Sequence, residues 1–299
     1  MLRGLSAALA TAVRLLGASS CAVACALLCM GCARAPSPLM PFWDGSIGAP
    51  SHGVLRNGAE LPMRGPGYQW LRQNDRHYAL PRFVAAIERA AAKVARERPG
   101  AALTVGDLSA KTGGHVSSHA SHRSGRDADL LLYVTTLEGT PVKTPDFLPF
   151  GPDGLAYDEQ NHRFVRFDVE REWLLLKALL EDPEAHVEWM FVHHALEAML
   201  VEWARARGES SDTILHAELV MWQPGPPAQP HDDHVHVRTA CTPDEVTRGC
   251  DPNGPARDWL ALPPPDAEPE PTNDELVAEL LRPIETPRSA GEHPRTSGR

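Results

Sequence analysis

Residues 114–134, GHVSSHASHRSGRDADLLLYV, are the stretch around which the rest of the chain is organised. Its last part, residues 130–134, is an unbroken apolar run of the kind that forms a buried β-strand. Asp127 and Asp129 come immediately before this run. The first part of the stretch carries three histidines: His115, His119 and His122. Imidazoles and carboxylates at the mouth of a rigid strand are groups with which proteins hold a divalent metal ion.

A second cluster lies about a hundred residues further on, in residues 231–238, HDDHVHVR. The alternation of a β-strand places His234 and His236 on one face while Val235 points to the other. One cluster alone is half a site, because catalytic zinc usually has three protein ligands and a water. The two clusters together supply a His/Asp/His set and predict a metal site.

Apolar periodicity predicts an α+β fold, since helices and short strands mix without a regular βαβ repeat. We expect a small antiparallel sheet that carries the zinc site and is flanked by helices and long loops. The predicted helices cover residues 81–98, 168–180 and 195–207. The predicted strands cover residues 102–105, 130–134, 187–192, 219–222 and 235–238. Residues 136–166, with several prolines and glycines, are expected to form a long loop beside the site.

The chain divides into four parts by composition. Residues 1–32 have the features of an export signal, and residues 33–55 are a linker rich in Pro, Gly and Ser. Residues 56–262 form the zinc-binding domain. Residues 263–299 are a Pro-rich acidic tail that we expect to be disordered.

The export signal has a positive start, with Arg3 and Arg14, and an apolar core in residues 15–30. It is too short to indicate a membrane span. Residues 28–32, LCMGC, resemble a bacterial lipoprotein cleavage box in which Cys32 would carry the lipid. A plain cleaved signal is the alternative. Both readings place the mature protein outside the cytoplasm, and we expect it in the periplasm, either free or anchored to the membrane as a lipoprotein.

Charge and cysteine usage agree with an exported enzyme. A formal net charge of −10 argues against a nucleic-acid partner, which would favour a basic surface. Of the 6 cysteines, four lie within residues 1–32 and only Cys241 and Cys250 belong to the domain. In an oxidising compartment this pair is most simply a disulfide. Two zinc-binding thiols are the less favoured alternative, since no further cysteine completes a thiolate site.

Residues 119–129, HASHRSGRDAD, together with residues 231–238, resemble the penicillin-insensitive murein endopeptidases, which belong with the lysostaphin-type and D-Ala-D-Ala-cleaving zinc peptidases. Residues 61–68, LPMRGPGY, are similar to an N-terminal segment of that family, and Cys241 falls just after the second cluster, as it does there. The resemblance covers about residues 46–259. The single disulfide and the Pro-rich tail depart from the family pattern.

The resemblance implies a role for each residue of the two clusters. It makes His122, Asp129 and His236 the zinc ligands and His234 the catalytic imidazole, with His119 and His231 lining the site. His119 as a fourth ligand stays open, because a His-x-x-His pair on a helix would itself hold a metal ion. Asp127 either orients a ligand histidine or is a solvated turn residue. Since the sequence contains no His-Glu-x-x-His, His234 would take the proton from water or stabilise the oxyanion.

The function implied by the resemblance is zinc-dependent hydrolysis of the D-alanyl to meso-diaminopimelyl cross-links of peptidoglycan. Peptidoglycan cross-link peptides are then the partners and Zn²⁺ is the cofactor. One alternative is a D,D-carboxypeptidase that removes terminal D-Ala. The other is a non-catalytic, zinc-dependent module that binds the cell wall.

Overall fold

A seven-stranded β-sheet runs through the computed structural model, which describes residues 44–260. Its strands, in spatial order, are β14 (Met221–Trp222), β13 (Val187–Phe191), β15 (His234–Thr239), β8 (Asp127–Leu131), β7 (Leu103–Val105), β5 (Tyr68–Trp70) and β4 (Arg64–Gly65). The pairs β13–β14 and β5–β7 are parallel, and the others are antiparallel. The sheet is therefore larger than the small antiparallel sheet that we expected, and it is mixed.

Eight further strands form three smaller sheets within residues 44–260. The four-stranded sheet consists of β10 (Pro141–Val142), β9 (Val134–Thr136), β12 (Arg163–Phe167) and β11 (Leu155–Asp158). Two-stranded sheets pair β1 (Gly45–Ala49) with β2 (His52–Arg56), and β3 (Ala59–Glu60) with β6 (Tyr78–Ala79). The segment expected to be a long loop, residues 136–166, thus contributes strands to the four-stranded sheet.

Five helices occur in the described part of the chain: α1 (Pro81–Glu97), α2 (Val169–Leu180), α3 (His194–Ala206), α4 (Ser211–Val220) and α5 (Pro243–Thr247). Helices and mixed sheets without a closed barrel confirm the predicted α+β class. Between residues 44 and 260 we find no helix with the length and apolar character that a membrane crossing requires.

Strand alternation divides the central strands into a core face and an open face. Ala128 and Leu130 on β8, and Val235 and Val237 on β15, are fully buried and belong to the hydrophobic core with the apolar side of α1. The intervening residues of the same strands point to the opposite side, and they include Asp127 and Asp129 on β8 and His234 and His236 on β15. The core face therefore fixes the strands that position the polar side chains.

The domain begins earlier than the sequence predicted. Residues 45–56, most of which we assigned to the linker, form the hairpin β1–β2, and Leu55 is 1 % exposed. The hairpin supports the histidine-rich stretch by backbone hydrogen bonds from Leu55 N to Thr112 O at 3.0 Å and from Arg123 N to Pro50 O at 3.0 Å. Cys32, the export signal and the residues 263–299 tail lie outside the described residues.

The predicted strand 219–222 is only half right. Leu219 belongs to α4, which the sequence analysis did not predict, and only Met221 and Trp222 form a strand. Leu215 and Leu219 of α4 are 55 % and 43 % exposed, so apolar residues lie on two sides of this helix and weaken its periodicity. Its start carries a recognisable signal, because Ser210 Oγ accepts a hydrogen bond from Thr213 N.

Glu172 on α2 is a fully buried carboxyl group without a cationic partner among its contacts. Burial, with the nearby charge of Asp168, raises its pKa to about 8, although Oε2 accepts a hydrogen bond from Tyr133 N at 3.0 Å. The native state therefore retains a proton on Glu172 at pH values where the unfolded chain has lost it.

The free energy of unfolding should consequently fall as the pH rises from about 5 to about 8, through the raised pKa of Glu172. A glutamine cannot ionise, so Glu172→Gln should remove this contribution and flatten the pH profile. Urea unfolding of both proteins between pH 5 and pH 9 measures the difference, with the exposed Glu159→Gln as control. Parallel profiles for wild type and Glu172→Gln would contradict the buried, protonated state.

Candidate metal centre

The pairing of β15 with β8 brings the two sequence clusters together. In this antiparallel register His236 lies opposite Asp129, and Arg238 lies opposite Asp127. Directly opposed residues of neighbouring strands place their side chains on the same face of the sheet. Two segments that are far apart in sequence therefore share one surface.

Three imidazole nitrogens surround one carboxylate oxygen, Asp129 Oδ1. The nitrogens are His236 Nδ1 at 3.1 Å, His122 Nε2 at 3.2 Å and His234 Nε2 at 3.4 Å. Both Asp129 Oδ1 and His122 Nε2 are buried and have no hydrogen-bond partner. Buried polar atoms without a partner are costly, and a metal ion is one of the few groups that can satisfy them.

The donor set fits zinc. Ligands at about 2.0–2.2 Å from a tetrahedral zinc ion lie about 3.3–3.6 Å from one another, close to the separations around Asp129 Oδ1. Imidazole and carboxylate are also the donor types that zinc accepts. Among residues 44–260, two groups have the spacing of metal ligands: His119 with His122 and Asp129, and His231 with His234 and His236.

Asp127 joins the two halves of the site. Its Oδ2 accepts a hydrogen bond from His122 N at 2.9 Å, and its Oδ1 accepts from His236 Nε2 at 3.0 Å and Arg238 Nε at 2.6 Å. Burial opposes ionisation, but the charges of Arg238 and His236 outweigh it and hold the pKa of Asp127 well below its usual value. The solvated-turn reading of Asp127 was wrong, since this carboxylate is fully buried in β8.

His122 is held by its backbone as well as by its ring. It has φ +64°, in the left-handed region that non-glycine residues rarely adopt and that is often found at functional sites. Gly125 has φ +76° and turns the chain back toward β8. The His122 Nδ1–H donates to Leu108 O at 3.1 Å, which leaves Nε2 directed at Asp129. The segment is irregular, so His119 and His122 are not on a helix.

His119 lies at the edge of the cluster and is oriented by a residue that the sequence did not reveal. Its Nε2–H donates to Asp107 Oδ2 at 3.0 Å, and its Nδ1 lies 3.7 Å from Asp129 Oδ2. Asp107 also accepts hydrogen bonds from Asn74 at 2.8 Å and Arg76 at 3.0 Å. Despite burial, the hydrogen bonds from His119, Asn74 and Arg76 keep the pKa of Asp107 low. Asp107 directly follows Gly106 beyond β7, so the mouth of a strand is the only sequence signal for it.

His234 is paired with the carboxylate that precedes it. Its Nδ1–H donates to Asp233 Oδ1 at 2.5 Å, which leaves Nε2 facing Asp129. Burial lowers the pKa of His234, but the charge of Asp129 and the hydrogen bond to Asp233 outweigh burial and raise the pKa to about 10. A dication beside Asp129 would offset much of that rise.

His231 is the neutral imidazole of the site. Burial, followed by the charges of His234 and His236, lowers its pKa to about 4. Gln223 Oε1 accepts hydrogen bonds from His231 N at 3.0 Å and from His231 Nδ1 at 3.3 Å. The Nε2 atom of His231 therefore presents a lone pair.

Aromatic rings border the cluster, and the sequence analysis did not identify them. Phe147 packs edge-on to His234 with ring centroids 5.2 Å apart, and Phe191 lies 5.2 Å from His236. Phe191 came from a predicted strand, but Phe147 lies in a segment expected to be an irregular loop. His115, although it is in the same stretch as His119 and His122, is exposed and lies outside the cluster.

The predicted disulfide is confirmed. Cys241 and Cys250 are bonded, with Cα atoms 6.0 Å apart, and both are buried. Cys241 lies just beyond the end of β15, so the bond fixes the chain directly after the strand that carries His234 and His236. The thiolate-ligand alternative is excluded for this pair.

The imidazoles and carboxylates gathered on one sheet face of this α+β domain define a protein with a candidate metal centre. A family model described as penicillin-insensitive murein endopeptidase matches residues 46–258. The chain belongs to this peptidase family. The match agrees with the extent of the resemblance seen in the sequence.

Individual relatives agree with the family model. A penicillin-insensitive murein endopeptidase of Haemophilus influenzae is 28 % identical over 215 residues, which cover 69 % of this chain and 68 % of that protein. Proteins of the same name from Klebsiella pneumoniae subsp. pneumoniae and Pectobacterium atrosepticum are 30 % identical over 198 and 203 residues. These two matches cover 66 % and 67 % of this chain, and 66 % of each relative.

Proposed function

We propose that this protein is a zinc-dependent murein endopeptidase that hydrolyses the D-alanyl to meso-diaminopimelyl cross-links of peptidoglycan. The observation that carries the proposal is the convergence of His122 and His236 on Asp129, with buried donor atoms left without hydrogen-bond partners. The names of the relatives supply the substrate class, and the geometry supports a metal-assisted hydrolysis.

We assign the zinc to His122 Nε2, Asp129 Oδ1 and His236 Nδ1. The second nitrogens of the two rings support this choice, since His122 is anchored by the Leu108 carbonyl and His236 by Asp127. Ligand histidines usually have such an outer hydrogen bond, which fixes the tautomer and the orientation of the ring. Zinc held there would lower the pKa of a water toward about 7 and polarise the carbonyl of the amide to be cleaved.

His234 is the proposed acid–base group. Asp233 holds its Nδ1–H, so Nε2 is free to accept a proton from the attacking water and to return it to the leaving amine. His231, with its neutral ring and its Nε2 lone pair, is placed to accept a hydrogen bond from the substrate. His119 remains a candidate fourth ligand, with its Nδ1 directed at the far oxygen of Asp129.

Digestion of purified cross-linked muropeptides tests the proposal. The wild-type protein should convert each dimer into two monomers whose summed mass exceeds that of the dimer by one water. Penicillin should not inhibit the reaction, because the proposed hydrolysis uses no serine nucleophile. Mass analysis of the products identifies the bond. Release of terminal D-Ala alone would favour the carboxypeptidase alternative, and binding without cleavage would favour the wall-binding module.

Export to the periplasm is part of the same proposal, because the substrate lies outside the cytoplasm. If Cys32 is lipidated, Cys32→Ser should move the protein from the membrane fraction into the soluble fraction of the cell envelope. Fractionation and immunoblotting of wild type and Cys32→Ser measure this, with Cys29→Ser as a control in the same segment. Identical fractionation of all three proteins would support a plain cleaved signal instead.

A further inference from the structure

A row of side chains crosses the open face of the seven-stranded sheet. Asp129 on β8 lies opposite His236 on β15, and His236 lies opposite Phe191 on β13. Phe191 in turn lies opposite Trp222 on β14, the end strand of this sheet within residues 44–260. Since opposed residues share a face, the row runs from the candidate metal centre to the edge of the sheet.

The outer part of this row is a continuous cluster of aromatic rings, here called the aromatic ledge and formed by Trp189, Phe191 and Trp222. The ring centroid of Phe191 lies 5.2 Å from that of His236 and 6.0 Å from that of Trp222. Trp189 and Trp222 are 5.3 Å apart. The ledge therefore begins in contact with the metal centre.

Trp222 is the most exposed ring of the ledge. It is 45 % exposed, whereas Phe191 is 7 % exposed. The guanidinium of Arg238 lies over Phe191 at 5.3 Å, and that of Arg257 lies over Trp189 at 4.7 Å. An exposed indole that continues a polar site is a common feature of ligand-binding surfaces.

We propose that the aromatic ledge is a substrate subsite, in which Trp222 binds the peptide stem of peptidoglycan two to three residues from the bond that is cleaved. This inference rests on the proposed function. It makes Trp222, a residue outside the histidine–aspartate cluster, a determinant of substrate affinity.

Distance selects the peptide stem as the occupant. The ring-to-ring steps of 5.2 Å and 6.0 Å place the indole within about 11 Å of the His236 imidazole, and an extended peptide spans about 3.3–3.6 Å per residue. Trp222 is thus reached by the second or third residue from the cleaved bond. The sugar rings of the glycan strand are attached beyond the whole stem and lie further away. A sheet edge such as β14 is also a surface along which extended peptides bind.

Kinetics on two substrates test the subsite. One substrate is a cross-linked dimer with complete peptide stems, and the other is a minimal D-alanyl–diaminopimelate cross-link without the outer stem residues. Trp222→Ala should raise KM for the complete dimer by about tenfold, leave kcat nearly unchanged, and leave the minimal substrate unaffected. Trp222→Phe should keep most of the affinity. Phe164→Ala removes another aromatic that is 55 % exposed, on β12, and serves as the matched control.

Equal effects of Trp222→Ala on both substrates, or no effect on either, would overturn the subsite. Inhibition of the wild type, but not of Trp222→Ala, by a peptide-free glycan oligosaccharide would assign the ledge to sugar and would also overturn it. A wild type that cleaves neither substrate would refute the proposed activity. In that case, calorimetry of binding to the complete stem peptide tests the subsite separately. A loss of affinity in Trp222→Ala supports the subsite, and an absence of binding to the wild type contradicts it.

Discussion

Replacing His122, Asp129 or His236 with alanine should leave a purified protein with almost no zinc and no measurable hydrolysis of peptidoglycan cross-links. The wild type should hold about one zinc ion per chain through these three side chains. Loss of a hydrogen-bond partner of a ligand typically lowers metal affinity by about 10- to 100-fold, so loss of a ligand itself should have a larger effect. Each of the three donors is buried, and water cannot easily replace it.

The zinc-to-protein ratio after dialysis against a weak chelator measures this result, and circular dichroism checks the fold of each variant. His115→Ala is the matched control, because His115 lies in the same stretch but is exposed and outside the cluster. His119→Ala separates two arrangements: a loss as large as that of His122→Ala makes it the fourth ligand, and a small loss leaves it beside the site. Undiminished zinc in both His122→Ala and His236→Ala would refute the ligand assignment.

Strand alternation was sufficient to predict how the second cluster is arranged. In residues 234–237 the valines are fully buried in the core, and the histidines turn to the open face. The apolar run at residues 130–134 predicted the position of a strand less well, because β8 covers Asp127–Leu131 and Val134 already begins β9. The prediction for the second cluster succeeded because a period of two in polarity reports directly on which face of a sheet is buried.

The hydrogen-bond partners of the histidines were harder to predict. Asp107 precedes the first histidine cluster and approaches His119 only because β7 pairs with β8. Asp233 is adjacent to His234, and strict alternation would turn the two side chains to opposite faces. It reaches the His234 ring because β15 begins only at His234, so the strand pattern does not extend to Asp233. Partners of this kind depend on tertiary pairing, which local patterns do not encode.

The missed hairpin β1–β2 has a similar cause. Its glycines gave it the composition of a linker, yet Gly48 has φ +76°, and a Cβ atom there would lie 2.6 Å from His52 O. The glycine thus permits a tight hairpin rather than a flexible connection. The hydrogen bonds of this hairpin to residues 110–125 hold the loop from which His122 reaches the site.

His234→Ala should retain its zinc and its fold but lose hydrolysis by about 10²- to 10⁴-fold, the usual cost of removing a general acid–base group. The structure makes this a demanding test, because His234 Nε2 is 3.4 Å from Asp129 Oδ1 and His236 Nδ1 is 3.1 Å from the same atom. The two rings differ in the hydrogen-bond partner of the nitrogen that does not face Asp129, which is Nε2 in His236 and Nδ1 in His234. His236 donates to the fully buried Asp127, whereas His234 donates to the partly exposed Asp233 at the mouth of the site. A ligand needs a fixed orientation, and an acid–base group needs access to water and substrate.

Zinc content and the rate of muropeptide cleavage should therefore respond differently: His236→Ala loses both, and His234→Ala loses only the rate. If His234→Ala loses zinc as completely as His236→Ala does, both imidazoles are ligands and the proton must be carried by another group, for which His231 is the nearest candidate.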